Sequence, residues 1–160
     1  MKTIKITRQE NSNALKAMLG VLNRTTFSRE QMDTIVGLLE QMEKINNETV
    51  SMQTPPLHEE KYAEFKALDD ALKVKFNKFR EKHAEDFKRS GGNIPEGLKS
   101  EWQKQYEAKR AEFPEGAKQA DDFFNWSNTE LMAEKVELTY SPIEPTGFSI
   151  QEYNTIKFLF

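Results

Sequence analysis

The chain has 160 residues, 37% hydrophobic and 31% charged, with a formal net charge of -3 and a mean hydropathy of -0.77. With no cysteine it excludes disulfides, thiolate metal sites and cysteine nucleophiles, and no segment approaches the roughly 18 apolar residues of a membrane span. Eleven Phe against five Val point to burial concentrated in a few aromatic contacts, in one mostly helical domain that is elongated because so much of it is polar.

Residues 3–6 alternate, with Ile4 and Ile6 on one face and Thr3 and Lys5 on the other, a short strand. Thr7-Arg8-Gln9-Glu10 then has the form of a capping box and opens a helix over about 8–22, with Ala14, Leu15, Met18, Leu19 and Leu22 on one face. Ser28 and Gln31 repeat the box, with Phe27 placed to staple onto Met32. The helix beyond carries Met32, Ile35, Val36, Leu39, Met42 and Ile45 on its inner stripe. The short 23–27 turn makes these two helices an antiparallel hairpin, and Pro55-Pro56 ends the second.

Over 57–89 the residues Phe65, Leu68, Leu72, Phe76, Phe79, His83 and Phe87 recur at helical spacing, which predicts one long helix with an aromatic seam as core. Gly91 and Gly92 stop it; Asn93 and Pro95 suit the cap and first turn of a returning helix bearing Leu98, Trp102, Tyr106 and Phe113. Residues 57–113 are thus expected to form a long helical hairpin that protrudes. A further helix over 117–133 carries Ala120, Phe123, Phe124, Trp126 and Leu131.

Val136, Leu138 and Tyr140 alternate with Glu137 and Thr139, a second strand. Two such short strands do not persist alone, so residues 3–6 are expected to pair with 136–140 and join the two ends of the chain. After a loop over 141–147, Phe148-Ser149 opens a third boxed helix with Glu152, and Phe148 is placed to staple onto Tyr153. An α-helix from Ile150 puts Tyr153, Ile156 and Phe160 on its inner face and leaves Phe158 outside. Phe158 and Phe160 are therefore candidate contacts for a partner or a second copy of the chain.

No catalytic signature is present. His58 and His83 are the only histidines, and neither has a second histidine at i+4; both read as structural or surface residues. The doublets Glu59-Glu60, Asp69-Asp70 and Asp121-Asp122 sit about 100° apart on their helices, so they do not converge on a proton or a metal. Ser90-Gly91-Gly92 lacks the Lys-Ser/Thr of a phosphate loop. The reading is no enzyme, no cofactor and no metal. Charge is more informative: residues 29–72 hold four Lys/Arg against ten Asp/Glu, whereas 73–110 hold eleven against six. Lys75, Lys78, Arg80, Lys82, Lys88 and Arg89 cluster in the basic stretch, a candidate contact for an acidic protein or, alternatively, for nucleic acid.

The opening "IKIT" strand with its capped hairpin, and the closing "ELMAEKVELTYSPIEPTGFSIQEYNTIKF", resemble the layout of small proteins encoded by tailed bacteriophages. The resemblance covers about 20 residues at the start and 30 at the end, and carries no functional residues. It implies a phage origin and a non-enzymatic role through protein–protein contacts, in virion assembly or in modifying a host machine. The expected location is the bacterial host cytoplasm or the virion.

Overall fold

A computed structural model describes residues 1–143 and 147–160. Residues 144–146 of the expected 141–147 loop, and with them part of the phage-like closing segment, lie outside the described residues. The chain is mainly helical with one small sheet, as its periodicity requires. It falls into two compact units, one of residues 1–54 with 126–160 and one of residues 55–125.

The first unit opens with β1 (Lys2–Thr7), which leads without a loop into α1 (Arg8–Leu22); α2 (Arg29–Met52) returns antiparallel to α1. Thr7 accepts from the Glu10 amide at 3.0 Å while the Glu10 carboxylate accepts from the Thr7 amide at 2.6 Å. Ser28 and Gln31 do the same for α2 at 3.2 and 3.1 Å. Both starts are therefore fixed by side chains that satisfy otherwise orphaned N–H groups. Leu15, Met18, Ile35, Leu39 and Met42 of the expected stripes are buried, together with Val21 and Leu38. Leu19 and Val36 are exposed, because the buried face of each helix is turned slightly away from the expected phase.

Residues 55–125 follow as the second unit. After a 3-10 turn at 60–62 come α3 (Ala63–Lys82), α4 (Ala84–Arg89), a second 3-10 turn at 96–98, α5 (Lys99–Ala111) and α6 (Pro114–Asn128). The single helix expected over 57–89 is thus not formed. It starts at Ala63 and breaks at His83, whose φ of -114° and ψ of 31° leave the helical region. The break is local: the His83 amide still donates to Phe79 and its carbonyl still accepts from Phe87, both at 3.1 Å. The seam survives it, with Phe65, Leu68, Phe79 and Phe87 buried and Leu72 and Phe76 half-buried at the rim.

At the end of α4 the Gly92 amide donates to Phe87 at 2.8 Å and the Gly91 amide to Lys88 at 3.3 Å, a Schellman arrangement. It needs left-handed residues, and Gly91 and Gly92 supply φ of 67° and 88°. Asn93 and Pro95 do not start α5 as expected. The Asn93 amide group donates to the Ser90 carbonyl at 3.4 Å, and the Ser90 hydroxyl donates to the Asn93 carbonyl, so this loop closes on itself. α5 packs back on α3, where Trp102 meets Phe76 at 5.0 Å and Phe79 at 5.4 Å between ring centroids. The helix expected over 117–133 is two: α6 starts earlier, at Pro114, and α7 (Glu130–Ala133) follows a break at Thr129.

Back in the first unit, β2 (Lys135–Tyr140) pairs antiparallel with β1, from Lys2 opposite Tyr140 to Thr7 opposite Lys135. This is the pairing that the alternation of both segments predicts, extended by Lys2 at one end and by Thr7 opposite Lys135 at the other. Ile4, Ile6 and Leu138 face the helices; Leu138 is fully buried. Arg8 is buried too, donating from Nε to Glu134 and from Nη1 to Thr49, each at 3.0 Å. A buried guanidinium is tolerable because both of these partners accept from it.

α8 (Ile150–Ile156) starts on the Ser149–Glu152 box and packs on α1. The chain then tightens into a 3-10 turn over Lys157–Leu159. With three residues per turn, Leu159 stands over Ile156, and both are fully buried. The expected phase is therefore corrected: Leu159 is the plug, Tyr153 is 42% exposed, and Phe158 and Phe160 lie partly buried against the core. The strands hold this end in place. Lys2 Nζ donates to the Phe158 and Phe160 carbonyls at 3.3 and 2.8 Å, and the Tyr140 hydroxyl donates to the Phe158 carbonyl at 3.1 Å.

Two of the boxed carboxylates titrate below the usual glutamate range. The Thr7 amide hydrogen bond lowers Glu10, and the Ser149 amide hydrogen bond, aided by Arg24, lowers Glu152. A carboxyl group depressed on folding stabilises the fold above its unfolded pKa, and that contribution is lost as pH falls through the folded value. The two caps are therefore expected to be intact at pH 5 and to open below about 4.3, the ordinary glutamate value. Amide shifts of Thr7 and Ser149 followed by NMR against pH check this; midpoints above that value would contradict it.

Candidate functional site

The eight residues singled out by sequence divide between the two units. Phe158 and Phe160 belong to the first. Their rings pack partly against its core, and Phe160 stacks on Tyr153 with centroids 5.4 Å apart and planes 9° from parallel, its edge toward Phe148. The exposed apolar residues of α8 are Ile150, at 84% exposure, and Tyr153. Phe158 and Phe160, both expected as contacts, are thus half-buried, and Ile150 and Tyr153 are the more exposed apolar residues of α8.

The six cations belong to the second unit. Lys75, Lys78, Arg80 and Lys82 lie on α3, Lys88 and Arg89 on α4. Because Leu72, Phe76 and Phe79 turn α3 inward, its cations fall on both flanks: Lys75, Lys78 and Lys82 on one, Arg80 on the other. Two hollows result. One, of about 600 Å³, has Arg80 and Lys88 at its sides with Asn77, Glu81 and Ala84, and Phe87 among its lining. The other, of about 390 Å³, gathers Lys75, Lys78 and Lys109 around Val74, with Asp70. Lys109 was not among the sequence candidates, although it follows Tyr106 on α5 at the same kind of helical spacing that places Tyr106 and Trp102 inside.

Among the described residues most other cations of the unit are paired, although Lys104 of α5 is not. Lys61, Lys66, Lys73, Lys99, Lys109, Arg110 and Lys118 all hold a carboxylate, most of them within four residues along a helix. Among the described residues Lys75, Lys78, Arg80, Lys88 and Arg89 make no ion pair. Of the six, Lys82 alone has one, with Glu101 at 3.4 Å. The aromatic rings between them are taken up by one another: Phe76 meets Phe87 at 5.9 Å and Phe79 meets Phe87 at 6.0 Å, both edge-on. The buried Phe79 and Phe87 leave no ring face free for stacking.

His83 lies against Phe79 at 4.8 Å, with Nε2 3.7 Å from Glu101 and without a hydrogen bond. His58 is exposed. The carboxylate doublets split as their helical spacing predicts: Asp69 takes Lys73 and Asp70 takes Lys66, while Asp121 takes Arg110 and Asp122 takes Lys118. The Lys66 hydrogen bond holds Asp70 below the ordinary aspartate range. Among the described residues no three His, Cys, Asp or Glu side chains gather as metal ligands, and no helix is long and apolar enough to cross a membrane. Comparison with family models, with curated proteins and with solved structures gave no match to this chain.

Proposed function

We propose that this protein is a non-enzymatic binding protein of the phage type, which engages an acidic partner protein through the cations of α3 and α4, in virion assembly or in modifying a host machine. The observation that carries this reading is the unpaired state of Lys75, Lys78, Arg80, Lys88 and Arg89 in a unit whose other helical cations are nearly all paired. An unpaired ammonium or guanidinium keeps its full attraction for an incoming carboxylate, whereas a paired one must first give up its partner. The rim of α8, with Ile150, Tyr153, Phe158 and Phe160, supplies a separate apolar contact for a protein surface.

Affinity capture from host and infected cells, repeated with the triple variant Lys78→Glu, Arg80→Glu, Lys88→Glu, tests the proposal. The three side chains hold nothing in the fold, so melting should shift little. Binding should weaken by about 10- to 100-fold, since turning an exposed cation into an anion removes up to about 1 kcal/mol of pairing at each position. A partner retained in full by the triple variant would sink the cationic surface as the contact.

A second reading, nucleic-acid binding, draws on Lys75 and Lys78 beside one hollow, where Lys109 holds Glu112 and Asp70 also lines the wall. It is disfavoured for single strands because the intervening rings are engaged with each other. Duplex binding whose affinity falls steeply with salt would favour it.

A further inference from the structure

The two edges of the small sheet differ. On the β2 side Gln41 of α2 caps the edge at Thr139: its Nε2 donates to the Thr139 carbonyl at 2.7 Å and its Oε1 accepts from the Thr139 amide at 3.1 Å. One carboxamide thus occupies both main-chain groups of Thr139, as a neighbouring strand would. Those groups must point away from β1, so by the alternation of an antiparallel ladder the main-chain groups of Thr3, opposite Thr139, point away from β2. Lys5 and Thr7 follow the same parity. The Arg8 amide, of opposite parity, bonds inward to Glu134 at 3.0 Å, which agrees.

Of these outward groups the Thr7 amide is taken by Glu10 at 2.6 Å. No hydrogen bond from elsewhere in the described chain reaches the main chain of Thr3 or Lys5, and both residues are exposed. β1 therefore offers two amides and two carbonyls in strand geometry to solvent. Strand edges of this kind are templates for a further strand.

We propose that β1 pairs antiparallel with β1 of a second copy of this chain, about a two-fold axis at Ile4, to make a four-stranded sheet. In that register Thr3 of each copy exchanges both hydrogen bonds with Lys5 of the other, so all four open amides and carbonyls are used. Ile4 meets Ile4 across a non-hydrogen-bonded pair, where side chains approach most closely, and covers what the half-buried Ile4 leaves exposed.

The neighbouring registers are worse. An axis at Lys5 opposes two ammonium groups and calls on the Thr7 amide that Glu10 already holds. An axis at Thr3 loses the Ile4–Ile4 contact and sets Lys5 against Met1, which lies outside β1. In the Ile4 register Lys5 lies opposite a threonine and keeps its own carboxylate, Glu137, at 3.2 Å. Charge thus admits a second copy. The two-fold contact uses β1 of both copies and so closes at a dimer, while the clasp of Gln41 obstructs a further strand at Thr139 on the far edge.

Proline tests the edge selectively, because it removes an amide donor and is tolerated where that donor faces out of a sheet. Sedimentation of the wild-type chain from about 1 μM to 1 mM should show a reversible monomer–dimer equilibrium. Thr3→Pro with Lys5→Pro should weaken the dimer at least tenfold while far-ultraviolet circular dichroism of the dilute protein is unchanged. Should the double variant unfold, hydrogen exchange on the wild type decides. Thr3 and Lys5 amides are expected to slow with concentration, while those of Ile4 and Ile6, already bonded to β2, are not. A wild-type monomer at 1 mM overturns the proposal. So does association that the prolines leave intact, or Thr3 and Lys5 exchange that is independent of concentration.

Discussion

Gly116→Ala is expected to destabilise residues 55–125 by about 2 kcal/mol, although alanine is the better helix former. Gly116 lies near the start of α6, buried against the first turn of α3. A Cβ there would come within 2.6 Å of the Glu64 carbonyl oxygen and 2.8 Å of the Phe65 amide nitrogen. Both are main-chain atoms of a helix, so neither moves aside as a flexible side chain would. Overpacking of this kind costs about 1–3 kcal/mol or more. The helix-propensity gain is only about 1 kcal/mol. The Gly116 amide also donates to the Glu64 carboxylate, and separating the helices strains that bond as well.

Gly37 is the matched control. It is helical, and a Cβ built on it meets nothing within 4 Å, so Gly37→Ala should raise stability by up to about 1 kcal/mol. Urea unfolding of both variants reads opposite signs if the close approach at Gly116 is correct. A stabilised Gly116→Ala would mean that α6 does not contact α3 there.

Leu159→Ala should cost about 3 kcal/mol, more than the same change at Phe160. Leu159 has no exposed surface and belongs to the cluster that holds Ile156, Leu138 and Met18. Removing a buried leucine side chain costs about 2–5 kcal/mol, because lost transfer energy and the cavity add. Phe160→Ala should cost about 1 kcal/mol, the scale of a partial burial with one stacked ring. If Phe160→Ala proved the more damaging, the chain would continue as an α-helix past Ile156 and the 3-10 turn would be wrong. Thermal melts of the two variants separate these cases.

The contrast between those two residues shows where local reading stops. Ser149 and Glu152 announce the start of α8 because a capping box is complete within four residues, and no distant group is needed. The same holds for Thr7 with Glu10 and Ser28 with Gln31. Where α8 changes winding, the carbonyls of its last turn are held by Lys2 and Tyr140, which are remote in sequence. No pattern within residues 150–160 records those two donors. A periodicity carried forward at 3.6 residues per turn therefore put Phe160 where Leu159 stands.

The helices at 63–89 repeat the lesson. The aromatic seam is legible because its residues recur once per turn, and it remains in register through the break. The break itself is a property of one residue's backbone, at His83, which packs on Phe79 and faces Glu101 of α5. The cationic candidates were readable as residue types, since Lys and Arg cluster in 73–110. Which of them stay unpaired was readable only in part: Lys99 and Lys109 take carboxylates three residues away, whereas Lys82 and Arg110 take Glu101 and Asp121 from other helices.

What the amino-acid order determined by itself was therefore local: the three boxed helix starts, the alternation of β1 and β2, the glycine stop after α4 and the helical identity of most of the chain. Each follows from interactions spanning no more than about one turn or from a repeating side-chain period. What only the tertiary structure decided was pairing across distance: Gln41 on the edge at Thr139, Lys2 on the last turn, Gly116 against Glu64, and the ion pairs of Lys82 with Glu101 and Arg110 with Asp121. Those depend on which surfaces meet, and a surface is defined by two segments at once, so neither segment alone carries the information.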